Sequence, residues 1–210
     1  MSDMTLPQVG AIPRTPFVPV TPDAAVAPDT ADAERDLVER ARARDEEAFR
    51  VLVDLHRDRA FGLALRITRS REDAADAAQE AFVRAWLALP RFRGESAFGT
   101  WLHRIVARRA LDRAVVAESR RRREVVLEDA GSVAGPAGGA APGELARRLE
   151  PLLEDLSPVQ RAVVTLFYWE DAPVAAIASV LALPENTVKT HLRRARAALR
   201  EAWLREEGGR

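Results

Sequence analysis

Residues 131–143 read Gly-Ser-Val-Ala-Gly-Pro-Ala-Gly-Gly-Ala-Ala-Pro-Gly. Such a stretch has little apolar bulk to bury and too much backbone freedom to hold a helix or strand. It divides the 210-residue chain and obliges each flank to supply its own apolar stripes. On both flanks those stripes recur at helical spacing, and no convincing two-residue alternation marks a strand. The expected fold class is therefore all-α, with two small helical domains joined by a flexible linker. The expected boundaries are 31–123 for the first domain, 124–146 for the linker and 147–207 for the second. Residues 1–30, rich in Pro, Ala, Thr and Val without a period, read as a disordered tail.

The formal net charge is zero, with 32 basic and 32 acidic side chains, yet the charges are segregated. Arg120 to Arg123 form an unbroken basic run, and Lys189, Arg193, Arg194, Arg196 and Arg200 form a second cluster. Acidic residues gather at Asp45–Glu47, Glu72–Asp76 and Glu150–Asp155. Separate basic and acidic faces imply more than one kind of partner. The run Arg120 to Arg123 is read either as a track for a DNA backbone or as a solvated helix end. No cysteine is present, which excludes disulfides and cysteine-ligated metal and fits a reducing cytoplasm. No apolar run is long enough to span a bilayer, and the N-terminus has no secretory pattern.

Helix starts are marked at Ser70, Ser96 and the capping box Ser157-Pro158-Val159-Gln160, while Pro90 and Gly94 interrupt the first domain. In the second domain Val174, Ile177, Ala178 and Leu181 form a short apolar stripe, Ala182 to Pro184 make a turn, and Val188, Leu192, Ala195 and Leu199 form a second stripe. Beside that second stripe run Lys189, Arg193, Arg196 and Arg200, with Thr187, Thr190 and Arg194 near the same face. A helix buried on one side and basic on the other, after a short helix and a turn, suits a DNA major groove. Arginine can grip phosphate or guanine, and threonine can meet a phosphate or a thymine methyl.

In the first domain the helix from Ser70 to Leu89 has a predicted buried stripe of Ala74, Ala78, Ala81, Phe82, Ala85 and Leu89. Asp76, Gln79 and Glu80 stand at i, i+3 and i+4 and share a face. That face reads either as solvated surface or as a dock for a basic partner helix. Trp101, Leu102 and Ile105 repeat at helical spacing and belong to the core.

Two sets of residues resemble one family. Pro184-Glu-Asn-Thr-Val-Lys-Thr-His-Leu-Arg-Arg-Ala-Arg196 and Leu156-Ser-Pro-Val-Gln-Arg-Ala-Val-Val-Thr-Leu166 resemble domain four of extracytoplasmic-function RNA polymerase sigma factors. Asp76-Ala-Ala-Gln79-Glu80-Ala-Phe82 resembles the family's Asp-x-x-Gln-Glu-x-Phe signature in domain two, and Phe92 to Ile105 resembles its promoter-opening segment. Two independent motifs occur in the family's order and separation. The likeness spans Glu34 to Arg123 and Arg147 to Glu207.

The resemblance implies a sigma factor that binds core RNA polymerase and directs promoter-specific initiation. Asp76, Gln79, Glu80 and Arg84 would dock on the clamp helices of the largest subunit, with domain four at the flap region. Phe98, His103, Arg104, Arg108, Arg109 and Arg113 would read the −10 element and hold melted DNA, through stacking and backbone contacts. Thr187, Lys189, Thr190, Arg193, Arg194 and Arg196 would read the −35 element. The linker would thread near the polymerase active site and RNA exit path. An anti-sigma factor, often membrane-bound in the family, is implied as a further partner. The sequence departs from the family pattern at Ala176 (often Glu), Ala182 (often Gly), Asn186 (often Gly) and Arg108 (commonly Asn). Asparagine tolerates unusual backbone angles better than most residues. Arginine at 108 implies a changed base preference or a phosphate contact.

Enzyme readings find little support. His56, His103 and His191 are scattered, there is no Gly-rich phosphate loop or His-x-x-x-His pair, and the paired carboxylates lie on charged helix faces. No cofactor or metal is expected. Two other readings remain at this point: a stand-alone helix-turn-helix regulator binding DNA as a dimer, and a sigma-like adaptor or decoy that binds a regulator but not promoters. The motif at Asp76–Phe82 speaks against the first and the basic helix against the second.

Overall fold

The structure, a computed structural model, describes residues 28–125, 153 and 156–208. Nearly all of the linker and of the N-terminal tail lies outside the described residues; Glu124 and Val125 continue α4, and Pro28 to Thr30 open α1. Seven α-helices are present among the described residues: α1 (Pro28–Arg42), α2 (Glu46–Thr68), α3 (Arg71–Ala88), α4 (Phe98–Val125), α5 (Pro158–Tyr168), α6 (Val174–Leu181) and α7 (Glu185–Gly208). No strand is found among them, as the period of the apolar residues predicts. None of the helices is long and apolar enough to cross a membrane.

Local chemistry sets most boundaries. The Asp45 carboxylate accepts the Ala48 backbone N–H at 3.0 Å and caps α2. Arg69 takes left-handed angles (φ 60°) to end α2, and Ser70 then caps α3 by accepting the Asp73 N–H. Ser157 and Gln160 form the predicted reciprocal capping box, with Pro158 at the first helical position of α5. Ser96 does not cap α4. The first helical bond there runs from Trp101 N–H to the Ala97 carbonyl, so the cap position falls one residue later. A 3₁₀ turn at Leu89–Arg91 and Gly94 at φ +71° make the break between α3 and α4.

The core begins with alanine. Ala74, Ala77, Ala78, Ala81 and Ala85 are buried along α3, and their small side chains let it pack on α2 and α4 at once. The stripe differs from the spacing expectation at two positions: Ala77 joins it, wholly buried, and Phe82 is only partly buried. Gly99, at the start of α4, passes so close to His56 that a Cβ would lie 3.0 Å from the imidazole. In the second domain Ile177 of α6 and Val188 and Leu192 of α7 close the helix-turn-helix. Each such side chain contributes about 1.5–3 kcal/mol when fully buried.

The two domains touch. α5 packs on α2 and α4, and α6 on α4. Buried Ala162, Val163, Leu166, Ile177, Ala178 and Leu181 belong to the same apolar cluster as Leu52, Leu63, Ile67 and Leu102. A smaller cluster of Leu153, Leu156, Val164, Ala195 and Leu199 lies within the second domain alone.

Candidate nucleic-acid interface

The two basic helices are α4 and α7, and their arginines are differently placed. On α7 the stripe Val188, Leu192, Ala195 and Leu199 is buried as spaced, which turns Lys189, Arg193, Arg194 and Arg196 outward. The turn before it is a Schellman-type closure: Leu183 N–H reaches the Ala178 carbonyl at 2.9 Å, and Ala182 sits at φ +53°. Asn186 lies in the first turn of α7 and is not left-handed, so its tolerance for unusual angles is not used. The Thr190 hydroxyl donates to the Asn186 carbonyl at 2.8 Å. Thr187 is half-buried near the same end. Lys189 pairs loosely with Glu185 at 3.9 Å. Arg196 is held back over α5, donating to the Tyr168 hydroxyl at 2.8 Å with its guanidinium over the Phe167 and Tyr168 rings. Among the described residues Arg193 and Arg194 meet no carboxylate. Burial, and then the Arg194 charge, hold the His191 imidazole below its usual pKa.

On α4 nearly every candidate is already engaged. Phe98 is 3% exposed and packs among His56, Phe92 and Trp101, so no base can reach its ring in this conformation. His103 is also 3% exposed, with Nδ1 2.6 Å from the Glu170 carboxylate and Nε2 buried without a partner. Arg108 donates to the Leu181 carbonyl at 2.8 Å and lies 3.6 Å from Asp112. Arg109 pairs with Asp112 at 2.8 Å and Glu80 at 3.5 Å, and Arg113 with Asp76 at 2.8 Å. Arg104 alone of the six is exposed with no polar partner among the described residues.

These pairs divide the acidic-polar face of α3. Asp76 and Glu80 turn toward α4 and hold its arginines. Glu80 also accepts from Arg84 at 2.9 Å, and the Arg84 guanidinium, ahead of Arg109, keeps its carboxyl below the usual range. Gln79 is exposed on the other side. There it lines an open apolar groove of about 630 Å³ between α2 and α3, with Phe49, Phe82, Val83 and Trp86.

Two residues absent from the sequence-based site connect the domains. Arg161 of α5 is 8% exposed; its Nε donates to the Ile67 carbonyl at 2.9 Å and Nη1 to the Leu156 carbonyl at 2.6 Å. Burial lowers its pKa to about 10, which leaves it protonated at neutral pH. Glu170, in the loop after α5, faces His103 and lies 3.7 Å from Arg59. No local pattern betrays them, because the contacts span 94 and 67 residues of sequence.

With this geometry in place, known proteins show close parallels. The sigma-70 region 2 family model matches residues 52–122, and the sigma-70 region 4 model matches residues 146–199. Over 182 residues the chain is 34% identical to the RNA polymerase sigma-H factor of Pseudomonas aeruginosa, covering 81% of this chain and 94% of that one. It is 31% identical to the ECF RNA polymerase sigma factor SigW of Bacillus subtilis, covering 75% and 89%. The structure of CnrH in complex with the cytosolic domain of CnrY superposes with a TM-score of 0.54 at 30% identity, covering 83% of this chain and 99% of that one. The sigma factor RpoE in complex with the anti-sigma factor NepR from Bartonella quintana shares the fold, at 23% identity, a TM-score of 0.53, and coverage of 73% and 94%.

Proposed function

The chain belongs to the extracytoplasmic-function family of RNA polymerase sigma factors, and on that premise we propose which of its surfaces performs each part of initiation. As an alternative sigma factor it directs promoter-specific transcription, and the stand-alone regulator reading gives way. We assign the −35 contact to α7, through Arg193, Arg194 and Lys189, with Thr187 and Thr190 at its N-terminal end. The observation that carries this is the outward charge of Arg193 and Arg194, which meet no carboxylate among the described residues, opposite a buried stripe. Arginines already neutralised by carboxylates would add little to DNA affinity, whereas free ones release counterions from the duplex.

Core polymerase docks, on this reading, at the α2–α3 side of the first domain. Gln79 and the groove residues Phe49, Phe82, Val83 and Trp86 give that dock an apolar floor and a polar rim, the usual anatomy of a protein interface. Asp76 and Glu80 act mainly by fixing the arginines of α4, and Arg84 by fixing Glu80. The −10 contact belongs to α4, with Arg104 as the first side chain available and Arg108, Arg109, Arg113 and His103 reached by exchanging present partners. Phe98 serves the core that holds α4 in place. An anti-sigma partner is part of the proposal, supported by the neighbours CnrH and RpoE, whose structures were determined with such partners or a cytosolic domain. The bond-making chemistry is the polymerase's; this chain supplies recognition.

The test is transcription by purified core polymerase on a promoter library. Specific initiation requires this chain. Changing Gln79→Lys together with Glu80→Lys weakens core binding while leaving duplex affinity of the second domain unchanged. Core binding untouched by the double change sinks the docking assignment, and protection of palindromic DNA without polymerase sinks the whole reading.

A further inference from the structure

The open groove between α2 and α3 has aromatic walls. Phe49 and Trp86 lie with ring centroids 4.9 Å apart, Phe61 and Phe82 continue the lining, and Val83 at the rim is 55% exposed. An aromatic-lined groove is a common seat for a proline-rich segment in polyproline II form. The chain carries such a segment of its own, outside the described residues. Residues 1–30 have no helix or strand period, but Pro13, Pro16, Pro19 and Pro22 recur at every third position. Polyproline II has three residues per turn, so this spacing would put the prolines on one ridge and Arg14, Phe17, Val20 and Asp23 on the next.

We propose that residues 13–23 of the chain's own tail seat in the α2–α3 groove as a polyproline II segment, with Phe17 and Val20 against the aromatic lining. This rests on the assignment of that groove to core polymerase and adds its regulation, because tail and polymerase then compete for one surface. The lengths agree. From Glu46 to Phe61 the groove follows α2 for about 22 Å at the helical rise per residue. Pro13 to Val20 covers about 22 Å at the polyproline II rise. The start of α1 agrees as well. The pairs Arg40–Asp45 at 2.8 Å and Glu34–His56 at 3.3 Å lay α1 antiparallel on α2, so Pro28 stands level with the Phe61 end. Residues 21–27 reach at most about 25 Å, enough to pass around a helix about 10–12 Å wide. That path sets the direction, with Val20 at the Phe61 end and Arg14 at the Glu46 end. Charges then match at both ends. Arg14 is the only cation before Arg35, and Glu46 meets no cation among the described residues. At the other end Asp23 comes to Arg71, whose guanidinium stands 5.5 Å over the Phe61 ring and meets no carboxylate among the described residues. The tether holds the tail at an effective concentration on the order of millimolar, so weak contacts suffice.

The full chain tests this directly, since it has no cysteine of its own. Spin labels go on Thr15→Cys, on the third ridge of the tail, and on Arg50→Cys, exposed about one helical turn from Glu46. The free chain gives a short, narrow distance that survives dilution into unlabelled chain. Phe17→Asp together with Val20→Asp makes it long and broad, while Phe17→Leu keeps it short. A long or broad distance in the parent chain overturns the proposal. So does a short distance lost on dilution, which reports the tail of a second copy, and so does one indifferent to the double change. Releasing the tail by the double change raises affinity for core polymerase by about threefold or more, because apparent affinity scales with the open fraction. Failure of the docking assignment shows up separately: the distance behaves as stated, yet core affinity stays that of the parent chain.

Discussion

The helices α4 and α7 carry similar residues and are in opposite states. Each is long, each buries one stripe, and each bears a row of arginines. On α7 the charges of Arg193 and Arg194 point outward, with no carboxylate opposite them among the described residues. On α4 the corresponding charges are held by Asp76, Glu80, Asp112 and the Leu181 carbonyl. Basic composition alone does not make a binding surface. What counts is whether the guanidinium must give up a partner to bind. Arg193 or Arg194 gives up only water, whereas Arg108 or Arg113 must exchange an existing bond, which lowers the net gain.

The largest effect is expected at α7. Replacing Arg193 and Arg194 with alanine together should cost about 2–6 kcal/mol of specific duplex affinity, at roughly 1–3 kcal/mol per base-edge contact. Titration of −35 duplexes over a salt series checks this, and the salt slope falls as well. If affinity holds, the free charges are only solvated surface. Next is the bolt between the halves. Arg161→Ala leaves the Ile67 and Leu156 carbonyls without their donor and should lower unfolding stability by about 2–3 kcal/mol, as for other buried charged hydrogen bonds. Urea melts report the loss, and hydrogen exchange should rise at the C-terminal end of α2. An unchanged melt would mean that the domains are not packed in solution.

Smaller effects sharpen the contrast. Ala182→Gly should stabilise the helix-turn-helix by about 1 kcal/mol, since φ +53° strains any residue with a Cβ. A thermal melt of the full chain would show the gain, with duplex binding preserved. Last, Arg104→Ala should weaken binding of melted DNA more than Arg113→Ala does. Arg104 has no bond to lose among the described residues, while Arg113 sits in an exposed pair whose net worth is about 0–1 kcal/mol. Equal effects from the two would remove the distinction between free and engaged arginines on α4.

Local signals were legible wherever the chemistry is local. The capping box at Ser157, the cap at Ser70 and the stripe Val188–Leu199 each depend on residues a few positions apart, and each appears as spaced. One miss is local, and the others come from packing between distant segments. Ser96 misses the cap because the helix opens one residue later, at the Ala97 carbonyl. Asp76, Gln79 and Glu80 share a face by spacing, yet α4 packs along one edge of it and takes the two carboxylates. Phe98 has the look of an exposed stacking ring in sequence, but the aromatic group of Phe92, His56 and Trp101 encloses it.

By itself the sequence determined the helical class, the position of the helix-turn-helix and the basic side of α7, because 3.6-residue periodicity and caps are properties of neighbouring residues. The packing of distant segments set which basic groups are engaged. That outcome depends on Glu170 meeting His103, Arg161 meeting Ile67 and Arg108 meeting Leu181, across separations of 67, 94 and 73 residues. Charge is written in the chain, but its availability is set by the partner that packing brings within about 3 Å, where a hydrogen bond forms.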